Sequence, residues 1–155
     1  MHSAIRVAVA SAIVATASFI ISADTTPASE ASEVQLRIGD LLFAEGRFSD
    51  SLDAYRNALK AAPADATRRP RMGVIASALR VAEFDLARAE AEKLFAADPK
   101  GPEAMTLYGD ALWAKGLFDE ADAQYRLALA LAPESSRARF GLARSLTTRT
   151  RLDEA

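Results

Sequence analysis

The sequence predicts an all-α fold, a solenoid of antiparallel helix pairs. Apolar residues recur at helical spacing, and no convincing stretch alternates apolar and polar residues with the period of two that strands require. Of the 155 residues, 50% are hydrophobic and 26% are charged, a balance typical of a globular chain. A pattern of small, aromatic and proline residues also repeats along most of the chain, which indicates that one structural unit is stacked several times.

The N-terminal segment is interpreted as a signal peptide over residues 1–23. A weakly basic start precedes Val7–Ala23, which carries no charge and ends in small residues suited to cleavage after Ala23. An uncleaved membrane anchor and a buried helix remain alternatives, although the 17 residues of this segment lie at the short limit of about 17–25 for a spanning helix. Residues 24–31 are polar and predict a flexible linker.

The repeats occupy residues 32–155. Three closing prolines, Pro63, Pro99 and Pro133, lie 36 and then 34 residues apart, each following a predicted second helix that proline cannot continue. The predicted units cover about residues 32–65, 68–101, 102–135 and, in part, 136–155. The predicted helices lie near residues 32–45, 48–61, 69–81, 84–97, 102–114, 118–131 and 136–148.

The units share small residues, an aromatic residue that opens the second helix, and the closing proline. The first unit contains Gly39, Gly46, Phe48, Tyr55 and Pro63. The second is degenerate and keeps Phe84, Ala87, Ala91 and Pro99. The third is the clearest and contains Gly109, Gly116, Phe118, Ala121, Tyr125, Ala128 and Pro133. Small side chains at such positions let paired helices approach closely.

This pattern resembles the tetratricopeptide repeat (TPR), a helix–turn–helix unit of about 34 residues. The resemblance covers about residues 32–155 and implies a right-handed solenoid. The chain departs from the family pattern where an early tryptophan is usual, and Ile75 occupies the small-residue position held by Gly39 and Gly109. We therefore expect altered helix packing in the second unit.

The fourth unit stops at the start of its second helix, which leaves the apolar residues of its first helix without a covering helix. Repeat arrays usually end in a polar capping helix. Three explanations remain open: the sequence is a piece of a longer chain, the end pairs with another chain (including self-association), or the end frays.

The composition excludes several kinds of chemistry. The chain has no cysteine, and its single histidine is His2, within the predicted signal peptide. Thiol catalysis, Ser-His-Asp catalysis and the usual zinc sites therefore have no residues to build them after cleavage. No glycine-rich phosphate loop is present, and a formal net charge of −2 gives no global field for nucleic acid. We expect no enzyme activity, no cofactor, no metal site and no nucleic-acid partner.

The resemblance implies that the first helix of each unit lines a concave groove that binds a protein or peptide. The residues at matching positions that we assign to a partner-binding groove are Asp40, Phe43, Arg69, Arg80, Asp110, Trp113, Arg137 and Arg144. The charged side chains at these groove positions alternate in sign, acidic in the first and third units and basic in the second and fourth. Alternatively, Asp40 and Glu103 pair with arginines of neighbouring first helices and neutralise the groove. Trp113 is either an anchor for the partner or a packing residue.

Some members of the family hold a C-terminal carboxylate with a lysine and asparagine clamp. The matching positions here are Asp40, Ala76 and Asp110, so such a clamp is disfavoured. The sequence instead predicts a non-enzymatic protein–protein interaction scaffold in the cell envelope. We expect it to be periplasmic or secreted, or N-terminally membrane-anchored if uncleaved, with no stable membrane span after cleavage. Alternatively, it is the N-terminal TPR module of a longer envelope enzyme whose catalytic domain lies beyond residue 155.

Overall fold

The computed structural model describes residues 27–153, and this part of the chain contains seven α-helices and no strand. The helices are α1 (Pro27–Ala44), α2 (Phe48–Ala61), α3 (Arg68–Arg80), α4 (Phe84–Ala97), α5 (Pro102–Ala114), α6 (Phe118–Leu131) and α7 (Ser136–Asp153). A single 3-10 turn, Ala64–Ala66, joins α2 to α3. The all-α prediction is confirmed, whereas the predicted signal peptide, residues 1–23, lies outside the described residues.

The helices stack as a solenoid of pairs. Each helix packs against the next one in the chain, and α1, α3, α5 and α7 also contact one another in series. The first helices of successive units therefore form one continuous layer, and α2, α4 and α6 pack behind it. This arrangement presents four neighbouring helices along a single face.

Helix α1 begins five residues earlier than predicted, at Pro27, so it includes the second part of the segment assigned to a linker. Proline is well tolerated in the first turn of a helix, and Glu30 places a negative charge at the helix start, where the dipole favours it. The buried Ser32 hydroxyl donates a hydrogen bond of 2.9 Å to the Ala58 carbonyl oxygen. This contact fixes the beginning of α1 against α2.

Helix α7 also differs from the prediction, because it continues to Asp153 where we expected a turn after residue 148. The turns after the other first helices use a left-handed residue: Gly46 at φ 77°, Ala82 at φ 61° and Gly116 at φ 78°. The corresponding residue in the fourth unit is Thr150, whose branched side chain disfavours positive φ. The chain therefore stays helical instead of starting a second helix there.

The closest helix approaches surround a buried tyrosine. The Tyr55 ring of α2 lies between Gly39 of α1 and Gly73 of α3. A Cβ atom added to Gly39 would lie 2.6 Å from ring atom Cδ1, and one added to Gly73 would lie 2.4 Å from it. Both glycines are therefore required by the ring, and the same arrangement recurs at Tyr125, between the glycines at positions 109 and 141.

The second unit fills the same space with different residues. Ala91 of α4 stands where the other second helices carry tyrosine, which leaves room for larger side chains on α3 and α5. Ile75 and Leu107 occupy that room and are 0% and 1% exposed. The packing of the second unit thus differs from that of the other units but leaves Ile75 buried, because the loss of the ring and the gain of aliphatic volume offset each other.

Candidate functional site

The layer of first helices encloses two adjoining cavities. The smaller has a volume of about 230 Å³ and lies between α1 and α3. The larger, of about 560 Å³, extends from the end of α3 across α5 to α7. Phe43, Ala76 and Arg137 line both cavities, so they form one continuous groove. We call this surface the concave groove.

All eight side chains assigned from the sequence line the concave groove. The smaller cavity is lined by Asp40, Phe43, Arg69 and Arg137. The larger is lined by Phe43, Arg80, Asp110, Trp113, Arg137 and Arg144. The structure therefore brings the predicted set together on one surface, and a role for these residues in partner binding stays a prediction.

At the α1 side, the charges of the groove are balanced. The Tyr55 hydroxyl donates a hydrogen bond of 2.7 Å to Asp40, and Arg69 Nη2 lies 3.6 Å from the same carboxylate. Burial of the ring is the main cause, and its hydrogen bond to Asp40 the second, that raises the pKa of Tyr55 well above its usual value. The tyrosine that fills the core thus also fixes the position of a carboxylate in the groove.

At the α7 side, one carboxylate serves two arginines. Asp110 accepts hydrogen bonds from Tyr125 at 2.8 Å, Arg137 at 3.0 Å and Arg144 at 3.1 Å, and its side chain is only 12% exposed. Burial of the Tyr125 ring, with the neighbouring Asp110 charge, raises the pKa of Tyr125 well above its usual value. This network joins α5, α6 and α7 directly beneath the larger cavity.

Trp113 both packs and faces the cavity. The Arg144 guanidinium lies 3.8 Å from the centre of the indole ring, a cation–π contact. Trp113 also packs against Phe118, with ring centres 6.3 Å apart. The two alternatives for Trp113 are therefore compatible, since the same ring contributes to the core and to the groove wall.

Arg80 differs from the other arginines of the groove. Its guanidinium lies 4.4 Å from the centre of the Phe48 ring. In the part of the chain that the structure describes, Arg80 makes no ion pair with a carboxylate. Leu79 and Phe84 line the cavity beside it. A cation without a carboxylate partner therefore lies next to an apolar wall.

Ion pairs between neighbouring first helices are present, as the neutralising alternative expects. Asp40 of α1 faces Arg69 of α3, and Arg68 Nη2 of α3 lies 3.4 Å from Glu103 of α5. These pairs are partly exposed, so each contributes little to stability, about 0–1 kcal/mol. The Asp40–Arg69 pair lines the smaller cavity, whereas Arg68 and Glu103 line neither of the two cavities.

The coupling between the core tyrosines and the groove carboxylates was not anticipated, although the sequence contains a signal for it. Each tyrosine lies 15 residues after the aspartate that it contacts, in both the first and the third unit. The second unit lacks both partners and has Ala76 and Ala91 at these positions. The stacking of Arg144 on Trp113 depends on the angle between α5 and α7 and has no comparable signal.

Residues 27–153 contain no cluster of three or more potential metal-ligating side chains. No helix in that range is long and apolar enough to cross a membrane.

Stacked antiparallel helix pairs with a groove along their first helices define a helical repeat protein of the solenoid class. The tetratricopeptide repeat family model matches residues 7–67, 76–134 and 109–155, so the chain belongs to the tetratricopeptide repeat family. The first match begins within the segment interpreted as a signal peptide. No curated protein matches the chain significantly.

Solved TPR domains share the fold. The Arabidopsis OM64 TPR domain is 25% identical, with a TM-score of 0.67, and the match covers 77% of this chain and 97% of that one. The Sgt2 TPR domain from Aspergillus fumigatus is 21% identical, with a TM-score of 0.70 and 84% of each chain covered. The first TPR of Spaghetti (RPAP3), bound to an HSP90 peptide, is 20% identical, with a TM-score of 0.68. That match covers 79% of this chain and 95% of the other.

Proposed function

We propose that the protein is a non-enzymatic interaction scaffold that binds a peptide segment of a partner protein in the concave groove. The observation that carries this proposal is the continuity of the two cavities, which four first helices line with apolar, aromatic and charged side chains. The similar RPAP3 domain is bound to a peptide, which supports the same use of the fold here.

The groove has the residue types that dominate protein interfaces. Tryptophan and arginine are enriched among the residues that contribute most to binding, and Trp113 and Arg144 lie together in the larger cavity. The hydrogen bonds of Asp110 hold Arg144 and Arg137 in place before a ligand arrives. Pre-ordered side chains reduce the entropy lost on binding, so the groove is suited to hold an extended segment.

We further propose that the scaffold is exported to the cell envelope. The support is the sequence of residues 1–23, with its basic start, uncharged apolar segment and small residues before Ala23. Expression in bacteria followed by fractionation and intact-mass measurement tests this step. A protein that begins at Asp24 in the periplasmic fraction is expected, and full-length protein in the cytoplasm would contradict export.

A peptide selection tests the binding function. Random twelve-residue peptides displayed on phage are selected against the purified protein, and the enriched sequences are tested for binding to two variants. Ala76→Arg places a long side chain at the junction of the two cavities. Ala123→Arg makes the same change at an exposed position of α6 and is the matched control.

We expect the enriched peptides to bind the Ala123→Arg variant as they bind the native protein and to bind Ala76→Arg at least about tenfold more weakly, a loss of about 1.4 kcal/mol. Circular dichroism checks that both variants keep their helices. The proposal is wrong if no peptide family depends on Ala76, since binding would then occur elsewhere or not at all.

A further inference from the structure

The larger cavity has an excess of positive charge. Three arginines, Arg80, Arg137 and Arg144, line it together with a single carboxylate, Asp110. Asp110 pairs with two of these arginines and therefore compensates only part of their charge. At the other end of the groove, by contrast, Asp40 and Arg69 form a pair of equal and opposite charges. The excess thus lies in the larger cavity, between the end of α3 and α7, and Arg137 is shared with the smaller cavity.

The arginines also keep unused hydrogen-bond donors. Both hydrogen bonds that Arg144 makes, to Asp110 and to the Tyr125 hydroxyl, involve its Nη2 atom. The Arg80 guanidinium lies over the Phe48 ring, and Arg80 has no carboxylate partner in residues 27–153. A guanidinium group offers five N–H donors, so two arginines that flank the same cavity can still donate to an oxygen ligand.

The surroundings of these donors are apolar. Leu79, Phe84 and Trp113 line the cavity alongside the arginines, and Phe43 extends the apolar wall into the smaller cavity. A carboxylate bound here would therefore be adjacent to space for a large apolar side chain. Because the two cavities are continuous, a peptide chain can pass through in both directions, which favours an internal segment over a chain terminus.

We propose that the concave groove selects an internal peptide segment in which an acidic side chain lies next to an aromatic or aliphatic one, with the carboxylate bound by Arg80 and Arg144. This inference rests on the proposed function, since it names the kind of peptide that the groove accepts. The bound carboxylate supplies the negative charge that the larger cavity lacks. Asp110 keeps the α7 arginines in position and does not contact the ligand.

The phage selection also tests this inference, because displayed peptides fused through their C-termini offer no free terminal carboxylate. We expect aspartate or glutamate to be enriched next to large apolar residues. One enriched sequence is then synthesised with both ends blocked, together with a version in which the acid is replaced by its amide. The affinities of both peptides are measured for the native protein, for Arg80→Gln and for Arg126→Gln.

We expect the acidic peptide to bind the native protein about tenfold more tightly than the amide version, and the advantage to shrink with rising salt concentration. Arg80→Gln should reduce the advantage to less than about threefold, because each guanidinium supplies part of the charge-assisted bonding. Arg126 is an exposed arginine of α6 outside the groove, so Arg126→Gln should preserve the advantage.

The possible failures are distinguishable. If enriched peptides depend on Ala76 but show no excess of acidic residues, the acidic preference is wrong and the binding groove stands. If Arg80→Gln and Arg126→Gln leave equal preferences, the assignment of the carboxylate to Arg80 is wrong and the binding groove stands. If no enriched peptide depends on Ala76, both this inference and the proposed function are wrong.

Discussion

Replacement of Gly73 by alanine tests the packing that sets the spacing of the first helices. The new Cβ would lie 2.4 to 2.5 Å from three atoms of the Tyr55 ring, whereas carbon atoms in contact are normally about 3.5–4.0 Å apart. The ring has little space to move away, because Gly39 lies almost as close on its other side. The helices must therefore separate by about 1 Å.

The expected cost follows from two opposing effects. Overpacking a core costs about 1–3 kcal/mol, and a ring confined on both sides places this site near the upper value. Alanine in a helix is favoured over glycine by about 1 kcal/mol. Gly73→Ala should therefore lower the free energy of unfolding by about 2 kcal/mol, which urea titration followed by circular dichroism measures.

The same substitution in a Tyr55→Ala background provides the control. Without the ring, only the helix preference remains, so Gly73→Ala should raise the free energy of unfolding by about 1 kcal/mol. The reasoning is refuted if Gly73→Ala destabilises both backgrounds equally, since its effect would then not depend on contact with Tyr55.

Four further predictions concern single residues. Ala82→Gly should stabilise the protein by about 1 kcal/mol in urea titration, because Ala82 has φ 61° and glycine adopts positive φ without strain; unchanged stability would contradict this. Arg149→Gln should destabilise the protein by about 2–3 kcal/mol, because it removes the ion-pair partner of Asp122, whose side chain is 7% exposed. The control Arg139→Gln, at an exposed position of α7, should cost under about 0.5 kcal/mol. The free energy of unfolding should fall as pH rises above about 10, by about 1.4 kcal/mol per pH unit for Tyr125. The reason is that the pKa of Tyr125 is higher in the folded state, so its stabilising contribution is lost as the phenol ionises. Tyr125→Phe should have a shallower slope, and an equal slope would refute the raised pKa of Tyr125. Trp113→Ala should weaken peptide binding by at least about 1–2 kcal/mol, measured by calorimetry, with little change in helical circular dichroism; loss of helicity would show that its main role is packing.

Much of the fold was predictable because its determinants are local. The bounds of α2, α4, α5 and α6 agree with the prediction, since prolines and left-handed turn residues mark their ends in the sequence. The end of α7 was mispredicted, because the repeat spacing was extended to a position where Thr150 replaces the turn glycine. Spacing alone therefore gave the wrong result where the residue that makes the turn was missing.

The residues that line the groove were predictable from the sequence, but the contacts among them were not. The family pattern identified eight side chains that the structure places along one groove. It did not show that Asp110 holds two arginines, or that Arg144 stacks on Trp113, since both depend on the angles between helices. The compensation among Ile75, Ala91 and Leu107 was missed for the same reason, because the three residues lie on three different helices.

The central claim, that a peptide binds in the concave groove, is tested most directly through the fluorescence of Trp113. This is the single tryptophan of the chain, and it lines the larger cavity, so its emission responds to a ligand bound at that surface. Titration with an enriched peptide should change the emission of the native protein to saturation, with the affinity found by calorimetry, and should leave Ala76→Arg unchanged at the same concentrations. Binding detected by calorimetry with no change in Trp113 emission, or an equal response from Ala76→Arg, would contradict the claim.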